Sequence, residues 1–210
     1  MDGERWRKNF VGRLNSAIDT YCQWVDVHFP VGTKAASLTQ QALQNCIAVA
    51  DQLDAELPLL CFNQSDTRFA NIVQRSTNVL GLVDWEDCGL EDAGRNLSGL
   101  LLAPNQEDLL NFDEWQAFLE PVMALQRRTM PAIEGRFQSY LLLTSMFWLG
   151  LFLSIGTGRS TFEGWEANRL PVKVRLQRYL ARALAYPSLD FTSQLEQIAP
   201  LHFFSDTAAT

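Results

Sequence analysis

Side chains able to do chemistry crowd into one stretch of this 210-residue chain. Asp66, Arg68 and Asn71 lie within a few positions of one another, and Asp84 follows after an apolar interval. Two carboxylates and an amide oxygen are hard ligands suited to Mg²⁺. A carboxylate held slightly apart can take a proton from a hydroxyl. A guanidinium beside it can neutralise phosphate oxygens. A base, metal ligands and a cation for the transferred group are the parts that phosphoryl transfer needs.

The chain between these residues must bring them together. Leu59-Leu60-Cys61-Phe62 is a short apolar run. Segments 72–75 and 79–83 read as strands, with Ser76-Thr77-Asn78 as the turn between them. A hairpin returns its end to its start, so Asn71 and Asp84 are expected to face one small volume, with Asp66 across from them. This is the only β-structure the pattern supports.

Elsewhere the pattern is helical. Trp6, Phe10, Leu14, Ile18, Tyr21, Val25 and His28 share one face of an amphipathic helix ended by Pro30. His28 on that face reads as a packed side chain and not a ligand. Ser37 and Gln40 form a capping box for a second helix that turns Leu43, Cys46, Ile47, Ala50 and Leu53 inward and stops before Pro58. Asp92 is the N-cap of a helix over Ala93–Leu102. Acidic residues gather at the front of 106–120, and Pro121 is expected to interrupt that segment. Residues 132–155 are apolar on nearly all sides, which predicts a central helix. Pro171 opens a further helix with Val172, Leu176, Tyr179, Leu180, Ala183 and Leu184 inward. Its Lys173, Arg175, Arg178 and Arg182 read as a solvated face. The glycine-rich stretch at 154–161 lacks the Gly-Lys-Ser/Thr of a phosphate loop and reads as a helix-ending turn.

Composition narrows the classes. At 47 % apolar and 20 % charged residues the chain is globular and not disordered. A net charge of −7 weighs against nucleic-acid binding by bulk electrostatics. Cys22, Cys46, Cys61 and Cys88 form no Cys-x-x-Cys pair, and the N-terminus carries no apolar signal core. Free thiols in a cytoplasmic protein are therefore expected. Two histidines cannot build a multi-histidine metal site. The longest apolar run, 141–155, falls short of the roughly 20 residues a membrane span requires, so no membrane partner is expected.

The octapeptide Gln64-Ser65-Asp66-Thr67-Arg68-Phe69-Ala70-Asn71 resembles the catalytic loop of protein-kinase-like enzymes, Asp-x-x-x-x-Asn. Val83-Asp84-Trp85-Glu86 resembles the Asp-Trp-Glu metal-binding motif of the aminoglycoside phosphotransferase and choline kinase superfamily. Gly89-Leu90-Glu91-Asp92-Ala93-Gly94-Arg95-Asn96-Leu97 is similar to the segment that follows it there. The specific likeness covers 59–102, and the remaining helices match that family's C-terminal lobe only in kind. The resemblance implies an α+β, predominantly helical fold. Residues 1–210 would form one C-terminal lobe, with a short β-hairpin insertion carrying the catalytic loop. It implies ATP- and Mg²⁺-dependent phosphotransfer to a hydroxyl of a small molecule. Asp66 would be the catalytic base, and Asn71 and Asp84 would bind Mg²⁺ and through it the nucleotide. Arg68 would contact the transferred phosphate. Trp85 and Glu86 would border the acceptor, and Asp92 would serve as a structural cap.

Three positions depart from the pattern. Gln64 replaces a histidine that holds the loop by hydrogen bonding, a task a glutamine amide can also perform. Phe69 stands where proline is common, and Asn96 replaces an acidic residue. A larger departure lies in front. Only 65 residues precede Asp66, they read as two helices, and Lys8 and Lys34 are their only lysines. No Gly-x-Gly-x-x-Gly occurs among them, whereas a nucleotide-gripping lobe needs on the order of a hundred residues. That lobe is expected to be absent here and supplied by upstream sequence or a partner chain. Weak Mg²⁺–nucleotide binding and little autonomous turnover follow. The alternative is a non-catalytic, degenerate lobe that binds a metabolite or a protein. A two-carboxylate hydrolase using Asp66 and Asp84 leaves Asn71 and Arg68 unexplained. The acceptor pocket is expected among the helices of 132–186, with Glu163 and Glu166 on an exposed loop.

Overall fold

The computed structural model describes residues 34–56, 58–64, 68–86, 88–104, 106, 109–156 and 172–199, with Asp19 and Gln23. In chain order the elements are α1 (Lys34–Ala55), β1 (Leu60–Gln64), a 3-10 turn (Phe69–Asn71), β2 (Ile72–Ser76), β3 (Val79–Leu82), β4 (Cys88–Asp92), α2 (Ala93–Leu102), α3 (Phe112–Arg127), α4 (Ile133–Gly156), α5 (Val172–Ala185) and α6 (Thr192–Ile198). The expected helix over 6–28 lies almost wholly outside the described residues. So do Cys22, Pro171 and the stretch 157–171 with Glu163 and Glu166.

Helix α4 is the spine. It is apolar on nearly all sides beyond its first turns, and α1, α2, α3 and α5 all pack against it. Met146, Leu149 and Phe152 of α4 join Cys46 and Leu53 of α1 and Leu176, Tyr179 and Leu180 of α5 in the main core. Phe152 stacks on Tyr179 with ring centroids 5.7 Å apart. A second cluster joins Ile133 and Phe137 of α4 to Leu97 of α2 and to Leu119 and Met123 of α3. Helix α2 crosses α4 so closely that a Cβ on Gly94 would lie 2.9 Å from the Arg136 carbonyl carbon and the Phe137 nitrogen. Only glycine fits there. None of the helices among the described residues is long and apolar enough to cross a membrane.

Four expectations about the helices and strands need correction. Helix α1 begins at Lys34, so Ser37 lies inside it and is no cap. Its buried stripe is Thr39, Ala42, Leu43, Cys46, Val49 and Leu53, which leaves Ile47 46 % exposed. Pro121 does not interrupt its segment, because α3 runs straight through it. A proline inside a helix costs about 3 kcal/mol. Trp115, Leu119 and Met123 bury one face across that point and offset it, at about 1.5–3 kcal/mol for each fully buried aliphatic side chain. The basic stripe of α5 is not a solvated face at Arg175 and Arg182, while the Lys173 side chain lies outside the described residues. Arg175 is 2 % exposed and lies over the Phe152 ring, while Arg182 lies over Tyr179 and Phe191. Finally, the β2–β3 hairpin is not the only β-structure. β1 pairs antiparallel with β4, from Leu60↔Asp92 to Gln64↔Cys88. β4 reads Cys-Gly-Leu-Glu-Asp, which has neither apolar alternation nor β-branched residues, so no local signal marks it as a strand.

Burial also sets the response to alkali. Burial, and then the neighbouring Asp92 charge, push the Tyr140 hydroxyl up to about 12. Burial alone pushes the Cys46 thiol up to about 12. A proton held more tightly when folded contributes stability that is complete below the unfolded pKa, near 10 for tyrosine. That stability is lost as pH rises through the folded value. Unfolding free energy is expected to fall between about pH 9 and 12, with roughly 2–3 kcal/mol of the loss due to Tyr140. Denaturant titrations across this range check it. An unchanged alkaline slope in Tyr140→Phe would refute the assignment.

Candidate active site

The β2–β3 hairpin closes on the pair Ile72↔Leu82. One residue further out, the Val83 N–H donates to the Asn71 carbonyl at 2.9 Å. The ladder thus delivers Asn71 and Asp84 side by side at the open end of the hairpin. Asn71 is fixed by the 3-10 turn, in which its N–H donates to the Arg68 carbonyl at 2.9 Å. Its side chain is buried, and Nδ2 lies 3.4 Å from Asp84 Oδ2. Asp84 is exposed and has φ of 66°, the left-handed region that few non-glycine residues occupy. Backbone held in such a conformation is typical of a position with a task beyond packing.

Gln64 ties this hairpin to the β1–β4 sheet. It is 4 % exposed, and its Nε2 donates to the Asp84 carbonyl at 2.8 Å and to the Val83 carbonyl. Its own carbonyl accepts from Asn96 Nδ2 at 3.0 Å. Two of the three departures from the family pattern, Gln64 and Asn96, therefore bond to each other. The third, Phe69, also has a physical reason. Its ring stacks on Trp115 at 5.8 Å and meets Phe118 edge-on at 5.9 Å. The Phe69 N–H donates to Oε1 of Gln106, a buried side chain whose Nε2 donates to the Leu100 carbonyl at 2.7 Å. The loop is thereby moored to α2 and α3. Gln64→Ala is expected to lose about 1 kcal/mol, since the hydrogen bonds from this buried amide to the partly buried carbonyls of Val83 and Asp84 are lost. Gln64→His should recover part of it. Equal chemical stability of the alanine variant and the parent would overturn this clamp.

Of the residues singled out by sequence, the structure brings Asn71 and Asp84 together. Arg68 contributes its carbonyl to the turn, and its side chain is half-buried. Asp66, two positions beyond Gln64, lies outside the described residues. Trp85 packs on Phe62 at 6.3 Å, and its Nε1 donates to the Leu82 carbonyl at 2.8 Å. Asp92 is the cap expected of it: its Oδ1 accepts from the Gly94 N–H at 3.0 Å. Gln106 and Arg136, which moor the loop and the cap, carry no local sequence signal because their partners are tens of residues away.

Among the described residues no group of three or more His, Cys, Asp or Glu side chains is placed to hold a metal ion. What Asn71 and Asp84 offer is one carboxylate and one amide. That donor set fits Mg²⁺, which keeps several waters and takes one or two carboxylates plus phosphate oxygens. A half-turn of the Asn71 amide would set its oxygen beside the Asp84 carboxylate.

No family model and no curated protein matches this chain. A solved structure does. It is a choline/ethanolamine kinase family protein from Mesorhizobium loti, with a TM-score of 0.53 and 19 % identity. The fold is protein-kinase-like. The match covers 88 % of this chain and 58 % of that one, so this chain spans rather more than half the neighbour's length.

Proposed function

We propose that this chain is the helical lobe of an ATP- and Mg²⁺-dependent phosphotransferase acting on a hydroxyl of a small molecule. The observation that carries the reading is the Asn71–Asp84 pair at the hairpin's open end, clamped by Gln64, within a kinase-like fold. In this reading Asn71 and Asp84 hold Mg²⁺, which would offset the charge of the nucleotide phosphates. Arg68 adds a cation for the transferred group, and Asp66 orients the acceptor hydroxyl and takes its proton.

The nucleotide needs a second grip. Phe62, Leu80, Leu82, Val83 and Trp85 are exposed on and beside the strands, with Leu80 at 71 %. So many large apolar side chains near one site mark a surface that another body covers. We assign it to a nucleotide-gripping lobe, from upstream sequence or a partner chain. The purified chain alone is expected to turn over below the ~1 s⁻¹ floor usual for kinases.

Thermal unfolding with and without Mg²⁺–ATP tests the site. The parent is expected to rise in Tm with the metal–nucleotide pair, and Asp84→Asn to show little or no rise. Identical responses would reject the metal site and favour a non-catalytic lobe.

A further inference from the structure

A cavity of about 480 Å³ opens between the end of α2, α3, α4, α5 and the start of α6, a size suited to a small ligand. Its walls are mostly apolar, with Trp115 of α3 and Leu141 and Leu142 of α4 among them. Two features set it apart from a packing defect. Ser145 of α4 lines it, is 1 % exposed, and its buried Oγ has no hydrogen-bond partner among the described residues. Folded proteins rarely bury a hydroxyl in that state, and a ligand oxygen would satisfy it. Arg178 and Arg182, one helical turn apart on α5, also line the cavity.

A cavity with apolar walls, two guanidinium groups and a buried hydroxyl selects by charge as well as by shape. We propose that it binds a small amphipathic anion. The apolar body lies against Leu141, Leu142 and Trp115. A carboxylate or phosphate monoester head meets Arg178 and Arg182, and a ligand oxygen bonds Ser145. This goes beyond the phosphotransfer reading and does not depend on it. The Trp115 ring that walls the cavity also stacks on Phe69 of the Asn71 turn, so occupancy would bear on that loop.

Calorimetric titration of the full chain, without nucleotide, tests the site. The probes are decanoate, decyl phosphate and decyltrimethylammonium, each below its micellar concentration. At least one anion is expected to bind at least tenfold more tightly than the cation. Tighter binding of decyl phosphate identifies a phosphate head, and tighter binding of decanoate a carboxylate. The Arg178→Gln/Arg182→Gln double variant is expected to weaken the anion at least tenfold. Leu141→Trp, which fills the cavity and keeps both charges, should abolish binding if the double variant fails to fold. Equal affinity for the cation, no binding of either anion, or full affinity in folded Leu141→Trp would each overturn the proposal. None of these outcomes touches the Mg²⁺–ATP test, whose failure is read at Asp84.

Discussion

Replacing Arg136 with alanine is expected to cost about 3–5 kcal/mol of folding stability. Arg136 is 4 % exposed, and its Nε and one terminal nitrogen lie 2.8 and 2.6 Å from Asp92 Oδ2. Its other terminal nitrogen lies 2.8 Å from Glu56 Oε2. Asp92 is fully buried. The same carboxylate also accepts the Gly94 N–H at 3.0 Å and the Leu59 N–H at 3.0 Å. Burial works against the charge on Arg136, but the Asp92 hydrogen bond and charge overcome it and hold the guanidinium above its ordinary pKa. Alanine would leave a charged carboxylate in the interior facing only two amides. Removing one partner of a buried pair costs far more than the pair contributes, because the remaining charge stays desolvated.

The damage should be concentrated at Asp92, and a double-mutant cycle can show this. Asp92→Asn combined with Arg136→Leu is expected to lose less than the sum of the two single changes. Urea denaturation of the four proteins measures it. A loss under 1 kcal/mol for Arg136→Ala, or simple additivity in the cycle, would refute the role assigned to this cluster. Asp92 joins the approach to β1, the start of α2 and the middle of the fold through α4. Loosening it should also loosen Asn96 and, through it, Gln64.

Asp84→Gly is expected to abolish the response to Mg²⁺–ATP while leaving the fold as stable as before, or up to about 1 kcal/mol more stable. At φ of 66° a side chain crowds its own backbone, and glycine relieves that cost. The gain is small because aspartate tolerates this region better than most residues. The functional loss should be large. Even groups that merely support a metal ligand are worth about 10–100-fold in affinity, and Asp84 is the one carboxylate of the described pair. Tm and Mg²⁺–ATP titration on the same sample separate the two effects. A glycine variant that still responds to the metal would place the site elsewhere. A variant that unfolds would mean Asp84 is held for structure alone.

The juxtaposition of Asn71 and Asp84 was legible in the sequence. The 72–83 hairpin rests on two short β-branched and apolar runs about a polar turn, signals written within a dozen positions. Its geometry then obliges Asn71 and Asp84 to meet, and they do so at 3.4 Å. The Asp92 cap and the central α4 were equally plain, since caps and apolar periodicity are local. What escaped is of another kind. Arg175 reads as part of a solvated face and Arg136 carries no signal at all, yet both are buried. Gln106 reads as one polar residue among several, yet it holds the Phe69 amide. β4 carries no strand signature, and it pairs with a strand far back in the chain. A buried polar side chain and a solvated one look identical in sequence, because the difference lies in partners tens of residues away. The residues and spacing alone determined which groups could do chemistry and which short elements carry them. Only the tertiary structure decided what holds those groups in place, which charges lie inside, and where an apolar cavity finds its two arginines.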